Sequence, residues 1–141
     1  MERRSGWLLA IAVAGLSACA AMSSESQPVS LRELAGAKWV AEDIDGRGVI
    51  DDAQSTVEFI AESRVAGRAG CNRYSGGVQA EGQKLHVEQL ISTKMACAPA
   101  LMDQETRFLR ALESARSFEL KGTKLRLFDE SGKQRLLLDK Q

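Results

Sequence analysis

Between Trp39 and Asp139 apolar residues alternate with polar ones in short runs, and most runs stop at a glycine. Thr56–Ile60 sets Val57 and Phe59 on one face and Thr56 and Glu58 on the other. In Lys84–Val87 the same rule turns Leu85 and Val87 inward and His86 outward. Phe118 and Leu120 alternate with Ser117 and Glu119, and Leu125 shares a face with Leu127. The breaks are Asp45-Gly46, Glu81-Gly82, Lys121-Gly122-Thr123 and Ser131-Gly132. A two-residue period marks half-buried strands, and many short strands with tight turns build antiparallel sandwiches or barrels. Trp39–Ile44, Arg64–Ala69, Gly77–Ala80 and Arg135–Asp139 complete the set of expected strands.

One segment breaks this period. From Ala100 to about Ala115, Leu101, Met102, Phe108, Leu109 and Leu112 recur at helical spacing. Pro99 suits a first turn, Asp103 and Glu105 lie early, and Arg107 and Arg110 lie late, as the helix dipole favours. Asp103 and Arg107 stand four apart, where opposite charges meet. The apolar stripe is expected to cover or plug the sheet rather than to bind a partner. A shorter helix is predicted over 31–35, with Ser30 and Glu33 at capping-box spacing and Gly36 as its stop. The expected fold class is therefore mainly β (α+β), an antiparallel barrel-like sheet with one packed helix.

Ahead of this domain stands a leader. Arg3 and Arg4 precede an apolar run from Trp7 to Leu16, which ends at Leu16-Ser17-Ala18-Cys19. The run is too short for a membrane span, which takes about 20 residues. A basic start, a short apolar core and a small-residue exit make a secretory signal peptide over residues 1–18. The last four residues resemble the processing site of bacterial lipoproteins. That resemblance implies cleavage before Cys19 and acylation of its sulfur. One acyl chain holds marginally, whereas several anchor permanently. Ala20 stands where aspartate would retain such a protein in the inner membrane, so an outer-membrane location facing the periplasm is expected. Residues 19–30 are small and polar and read as a flexible stalk, leaving 31–141 as the domain.

Of three cysteines, Cys19 is assigned to lipid, leaving Cys71 and Cys97. In an oxidising envelope an even pair reads as a disulfide, with two buried free thiols as the alternative. The bridge would close a loop of about 27 residues, worth about 3.5 kcal/mol in the chain-entropy model. Lys and Arg number 19, as do Asp and Glu, so no field of one sign attracts nucleic acid.

Three blocks occur in order: Gly70-Cys71-Asn72-Arg73-Tyr74-Ser75-Gly76, then Thr93-Lys94-Met95-Ala96-Cys97, then Met102-Asp103-Gln104-Glu105 opening the long helix. With Trp39 upstream and Gly122, Leu125 and Leu127 downstream, they resemble the META domain, the HslJ-like family of small bacterial envelope and heat-inducible proteins. The resemblance spans roughly 31–139. It implies a compact, mainly antiparallel barrel-like fold with one helix, and a role in the envelope and in stress. It implies no catalytic residue.

The residues themselves supply few sites. Gly70–Gly77 is glycine-rich after a strand but lacks the Gly-Lys-Ser/Thr ending of a phosphate loop. It reads as a turn, with Gly70, Gly76 and Gly77 at positive φ and Asn72, Arg73 and Tyr74 as a candidate partner-binding tip. Cys71, His86, Met95, Cys97 and Met102 lack the paired spacing of a metal site, and a disulfide with core methionines explains them. No cofactor is expected. His86 faces outward without a nucleophile beside it, and Asp43, Asp45, Asp51 and Asp52 are spaced like a solvated loop. The expectation is a non-enzymatic outer-membrane lipoprotein, held to the membrane by its lipid, that supports envelope integrity under stress. The rival is a lipid-tethered binding module, or an inhibitor of an envelope hydrolase, acting through the 70–77 loop on an envelope protein partner.

Overall fold

A computed structural model of the chain describes residues 29–141. The expected signal peptide, Cys19 and all but the end of the expected stalk lie outside the described residues. The elements run α1 (Leu31–Leu34), β1 (Lys38–Ile44), β2 (Arg47–Gly48), β3 (Thr56–Ile60), β4 (Arg64–Arg68), β5 (Arg73–Glu81), β6 (Lys84–Val87), β7 (Ile91–Ser92), α2 (Pro99–Ser114), β8 (Ser117–Lys121), β9 (Lys124–Phe128) and β10 (Gln134–Lys140). Every strand pairing is antiparallel.

Eight of these strands form a closed barrel. They follow one another in chain order from β1 through β3, β4, β5, β6, β8 and β9 to β10, which pairs back with β1. The closing register runs from Trp39↔Lys140 to Ile44↔Leu136, with a bulge between Ala41 and Asp43. Closure gives each of the eight strands a partner on both sides, which limits the free edge that could recruit another chain. The narrowest join is β6 to β8, which share Lys84↔Ser117. Two backbone bonds flank that pair, Leu85 N–H to the Arg116 carbonyl and Phe118 N–H to the Gln83 carbonyl, both 3.0 Å.

The alternating side chains fill the barrel as their period dictates. Trp39, Val57, Phe59, Val65, Leu85, Val87, Phe118, Leu125, Leu127, Leu136 and Leu138 are buried in one core. α2 adds Phe108, Ala111 and Leu112 to it. This helix packs against β6 on one side and β1 and β10 on the other. β6 lies across the ring from β1, so α2 spans one mouth of the barrel. At the other mouth α1 sends Leu31 and Leu34 into the core. It is fixed there by the bridge between Ala35 and Phe59 and by the Trp39 indole N–H donating to the Leu34 carbonyl at 3.0 Å. Ser30 N–H meets the Glu33 carboxylate at 3.3 Å, as the capping spacing predicts.

The turns at Asp45-Gly46, Gly82, Gly122 and Gly132 fall where the glycines announced them, each with positive φ. The 70–77 segment differs from expectation. Gly70 alone has positive φ there (132°); Gly76 and Gly77 lie inside β5. Their missing side chains make room for the next pass of the chain. Register along β5 moves from Val78↔Val87 to Ser75↔Ile91, so one extra residue bulges opposite Gly76. A Cβ on Gly76 would stand 2.7 Å from a Leu90 methyl group. The bulged Leu90 N–H is satisfied by the Glu113 carboxylate of α2 at 2.9 Å.

Candidate functional site

The three sequence blocks meet at the α2 mouth in one buried polar knot. Asn72 is 1% exposed and Glu105 5%. Glu105 is on the inner face of α2, one turn before Phe108, and its carboxylate accepts three bonds. They come from Cys71 N–H (3.2 Å), Asn72 N–H (2.6 Å) and the Asn72 side-chain amide (2.7 Å). The same amide nitrogen donates to the Met95 carbonyl at 3.1 Å. The Asn72 oxygen accepts from Met95 N–H (2.7 Å) and the Thr93 hydroxyl (2.9 Å). Asn72 thus fills all four positions of its side chain, and any other amide orientation would set oxygen against carboxylate. The Cys71–Cys97 disulfide, with Cα atoms 6.3 Å apart, closes the ring around it.

A second knot lies beside the first. Gln104 is fully buried, accepts Ile50 N–H at 2.8 Å and donates to the Ala53 carbonyl (2.7 Å) and Ser55 hydroxyl (3.2 Å). Ser55 passes the chain on to the Ala69 carbonyl at 3.0 Å. Gln104 and Glu105 therefore tie the start of α2 to the two loops that precede and follow β3 and β4.

The expected recognition tip divides. Arg73 is exposed, but Tyr74 is only 4% exposed and Asn72 is consumed by the knot. The expectation of an exposed Tyr74 is thereby corrected. Its ring packs edge-on against Phe108 at 5.7 Å, and its hydroxyl donates to the Thr56 carbonyl at 2.7 Å. The cause is strand alternation: β5 begins at Arg73, so Tyr74 must turn inward. Burial, and secondarily the Glu58 charge, hold the Tyr74 phenol well above its ordinary pKa of 10.0.

Other candidates separate as well. Met95 is 58% exposed and is not a core residue, and His86 is on the outer face of β6 as expected. Among the described residues no three His, Cys, Asp or Glu side chains gather to hold a metal. The early acids do not share one loop. Asp43 caps the Asp45-Gly46 turn by accepting Gly46 N–H at 2.8 Å, and Asp45 is gripped through both oxygens by Arg135. Asp51 and Asp52 are exposed on the loop after β2.

That loop forms one wall of a groove of 810 Å³ over the outer face of β3, β4 and β5. Lys38, Asp51, Asp52, Glu58, Arg68 and Arg73 bring charge to it. Arg68 and Arg73 are directly opposite partners on β4 and β5. Among the described residues, none of the six enters an ion pair. The pattern of blocks hid this groove because its charges come from five separate segments. Alternation does place Arg68 and Arg73 on the outside once the β4–β5 register is known.

Solved structures share this fold. One, determined by NMR, is 26% identical with a TM-score of 0.64, covering 79% of this chain and 94% of its own. An NMR structure of a protein from Burkholderia xenovorans is 23% identical with the same TM-score, covering 99% and 98%. A crystal structure of a DUF4847 family protein from Bacteroides vulgatus is 17% identical with a TM-score of 0.58, covering 78% and 96%. No curated protein matches the chain. The META domain family matches residues 32–141, a span that holds both polar knots, the disulfide and every strand of the barrel. On that match the chain belongs to the META domain family.

Proposed function

We propose that this META protein is a non-enzymatic lipoprotein of the bacterial outer membrane. It is tethered through acylated Cys19 and supports envelope integrity under stress. The observation that carries the reading is the use made of the three blocks. Asn72, Gln104, Glu105 and Tyr74 spend their polar groups on backbone and on one another, which is the work of a scaffold. The disulfide suits an oxidising compartment. The basic, apolar and small-residue leader ending at Cys19 supplies the tether.

Mass spectrometry of the native protein tests the tether. The expected product begins at an acylated Cys19 and fractionates with the outer membrane. An unacylated chain beginning at Met1 would overturn it. Turnover of an envelope substrate, abolished by one polar substitution, would overturn the non-enzymatic part. The binding-module reading is favoured by one observation, the unpaired arginines at the groove, of which Arg73 comes from the 70–77 segment.

A further inference from the structure

We propose that the groove over β3, β4 and β5 is a binding site for a short zwitterionic peptide, with the peptide carboxylate on Arg68 and Arg73 and its ammonium towards Asp51 and Asp52. The proposal deepens the binding-module reading but does not rest on the tether. The site belongs to the domain, whatever becomes of Cys19.

The arginine pair is the starting point. Like charges directly opposite on neighbouring strands repel. Arg68 and Arg73 are such a pair, both exposed, and among the described residues neither has a carboxylate within 4.0 Å. Some cations elsewhere on the surface do find carboxylates. Arg32 meets Glu62, Arg107 meets Asp103, Lys124 meets Glu42, and Arg135 meets Asp45 and Asp129. The groove has the acids to do the same and does not use them. Lys38 is directly opposite Glu58, yet its ammonium reaches Gln54 at 3.4 Å instead.

Two neighbouring guanidinium forks match a carboxylate or phosphate oxygen pair. Asp51, Asp52 and Glu58 in the same groove repel a polyanion, so nucleic acid and polyphosphate do not fit. A molecule with one anionic and one cationic end satisfies both groups at once. A volume of 810 Å³ lies within the usual range of small-ligand sites. The floor is tied across three strands: Tyr74 of β5 donates to the Thr56 carbonyl of β3, and Gly67 of β4 lets that carbonyl come close.

The test is titration of the purified protein with Ala-Ala-Ala, its C-terminal amide, its N-acetyl form and inorganic phosphate, followed by calorimetry and amide chemical shifts. The tripeptide is expected to bind and to shift resonances of β4, β5 and the loop after β2. Arg68→Ala and Arg73→Ala should each weaken it about tenfold or more, as loss of a charge-assisted bond does. The amide should lose binding like the arginine variants, and the acetyl form like Asp51→Asn with Asp52→Asn. Arg73→Lys, which keeps charge but not the fork, should fall between. All these side chains are exposed, so unchanged thermal unfolding will show that the variants fold. No binding of the tripeptide, equal binding of the amide, or phosphate binding as tightly as the tripeptide would each refute the assignment. Loss of acylation in the mass spectrum would leave it untouched.

Discussion

Replacing Glu105 probes the knot where the sequence blocks meet. Its carboxylate serves two backbone N–H groups and one side-chain amide. In Glu105→Ala the two backbone donors are left buried and unpaired, at about 1–3 kcal/mol each, while the Asn72 amide keeps the Met95 carbonyl. The expected loss is about 4 kcal/mol, a large part of the ~5–15 kcal/mol that holds a domain together. Glu105→Gln can keep its oxygen on the backbone donors, but its NH2 then faces the Asn72 NH2. That variant should lose about 1.5–3 kcal/mol, one charge-assisted bond. Asn72→Asp alone sets carboxylate against carboxylate. Combined with Glu105→Gln it restores a donor–acceptor pair, so the double variant should be at least about 1 kcal/mol better than the sum of the singles. Urea unfolding of the oxidised protein, followed by Trp39 fluorescence, measures all four. A Glu105→Gln variant as stable as the parent, with additive effects in the double, would refute the reasoning.

Reduction of Cys71–Cys97, or Cys71→Ser with Cys97→Ser, should cost about 3 kcal/mol, read as a lower urea midpoint, with a slope that does not fall, because the unfolded chain is freer to expand. Gly67→Ala should cost more than about 3 kcal/mol or abolish folding, because its Cβ would overlap the Thr56 backbone carbonyl. Gly77→Ala meets only the movable end of the Glu88 side chain and should cost under about 1 kcal/mol; equal melting points would sink the contrast. Tyr74 is the only tyrosine, so its ionisation is visible in ultraviolet absorbance. Its pKa is raised in the folded state, so above pH 10 the unfolded chain releases a proton that the folded one keeps. Stability should then fall with pH, by up to about 1.4 kcal/mol per unit from this group. Phenolate absorbance should appear only with unfolding, and Tyr74→Phe should flatten this alkaline decline. Phenolate formed in the folded protein near pH 10 would count against burial.

Alternation revealed the barrel because the core strands bury one face each, and glycines at Gly46, Gly82, Gly122 and Gly132 marked turns that need positive φ. The helix was legible from Phe108 and Leu112 and from Pro99, which is its first residue. Its buried face was only half legible. Gln104, Glu105, Phe108, Ala111, Leu112 and Ala115 follow one three-and-four spacing, and all are buried. Polar residues at the first two places disguised the stripe, since only their partners on distant loops make burial tolerable. Gly76 and Gly77 misled for a similar reason. Glycine in a strand signals either a turn or a close approach, and the approaching residues, Glu88 and Leu90, lie beyond the next turn. The groove required register between strands, which one chain read in order does not supply.

The last strand shuts the cylinder against the first, residue 140 beside residue 39. A seal made between such distant stretches forms late, after the chain has ordered nearly everything between them. Losing the final seven residues would strip both β1 and β9 of a neighbour and bare two unpaired rows of amides and carbonyls. A stop codon a few positions early should therefore yield aggregates or proteolytic fragments, not a slightly shorter working protein.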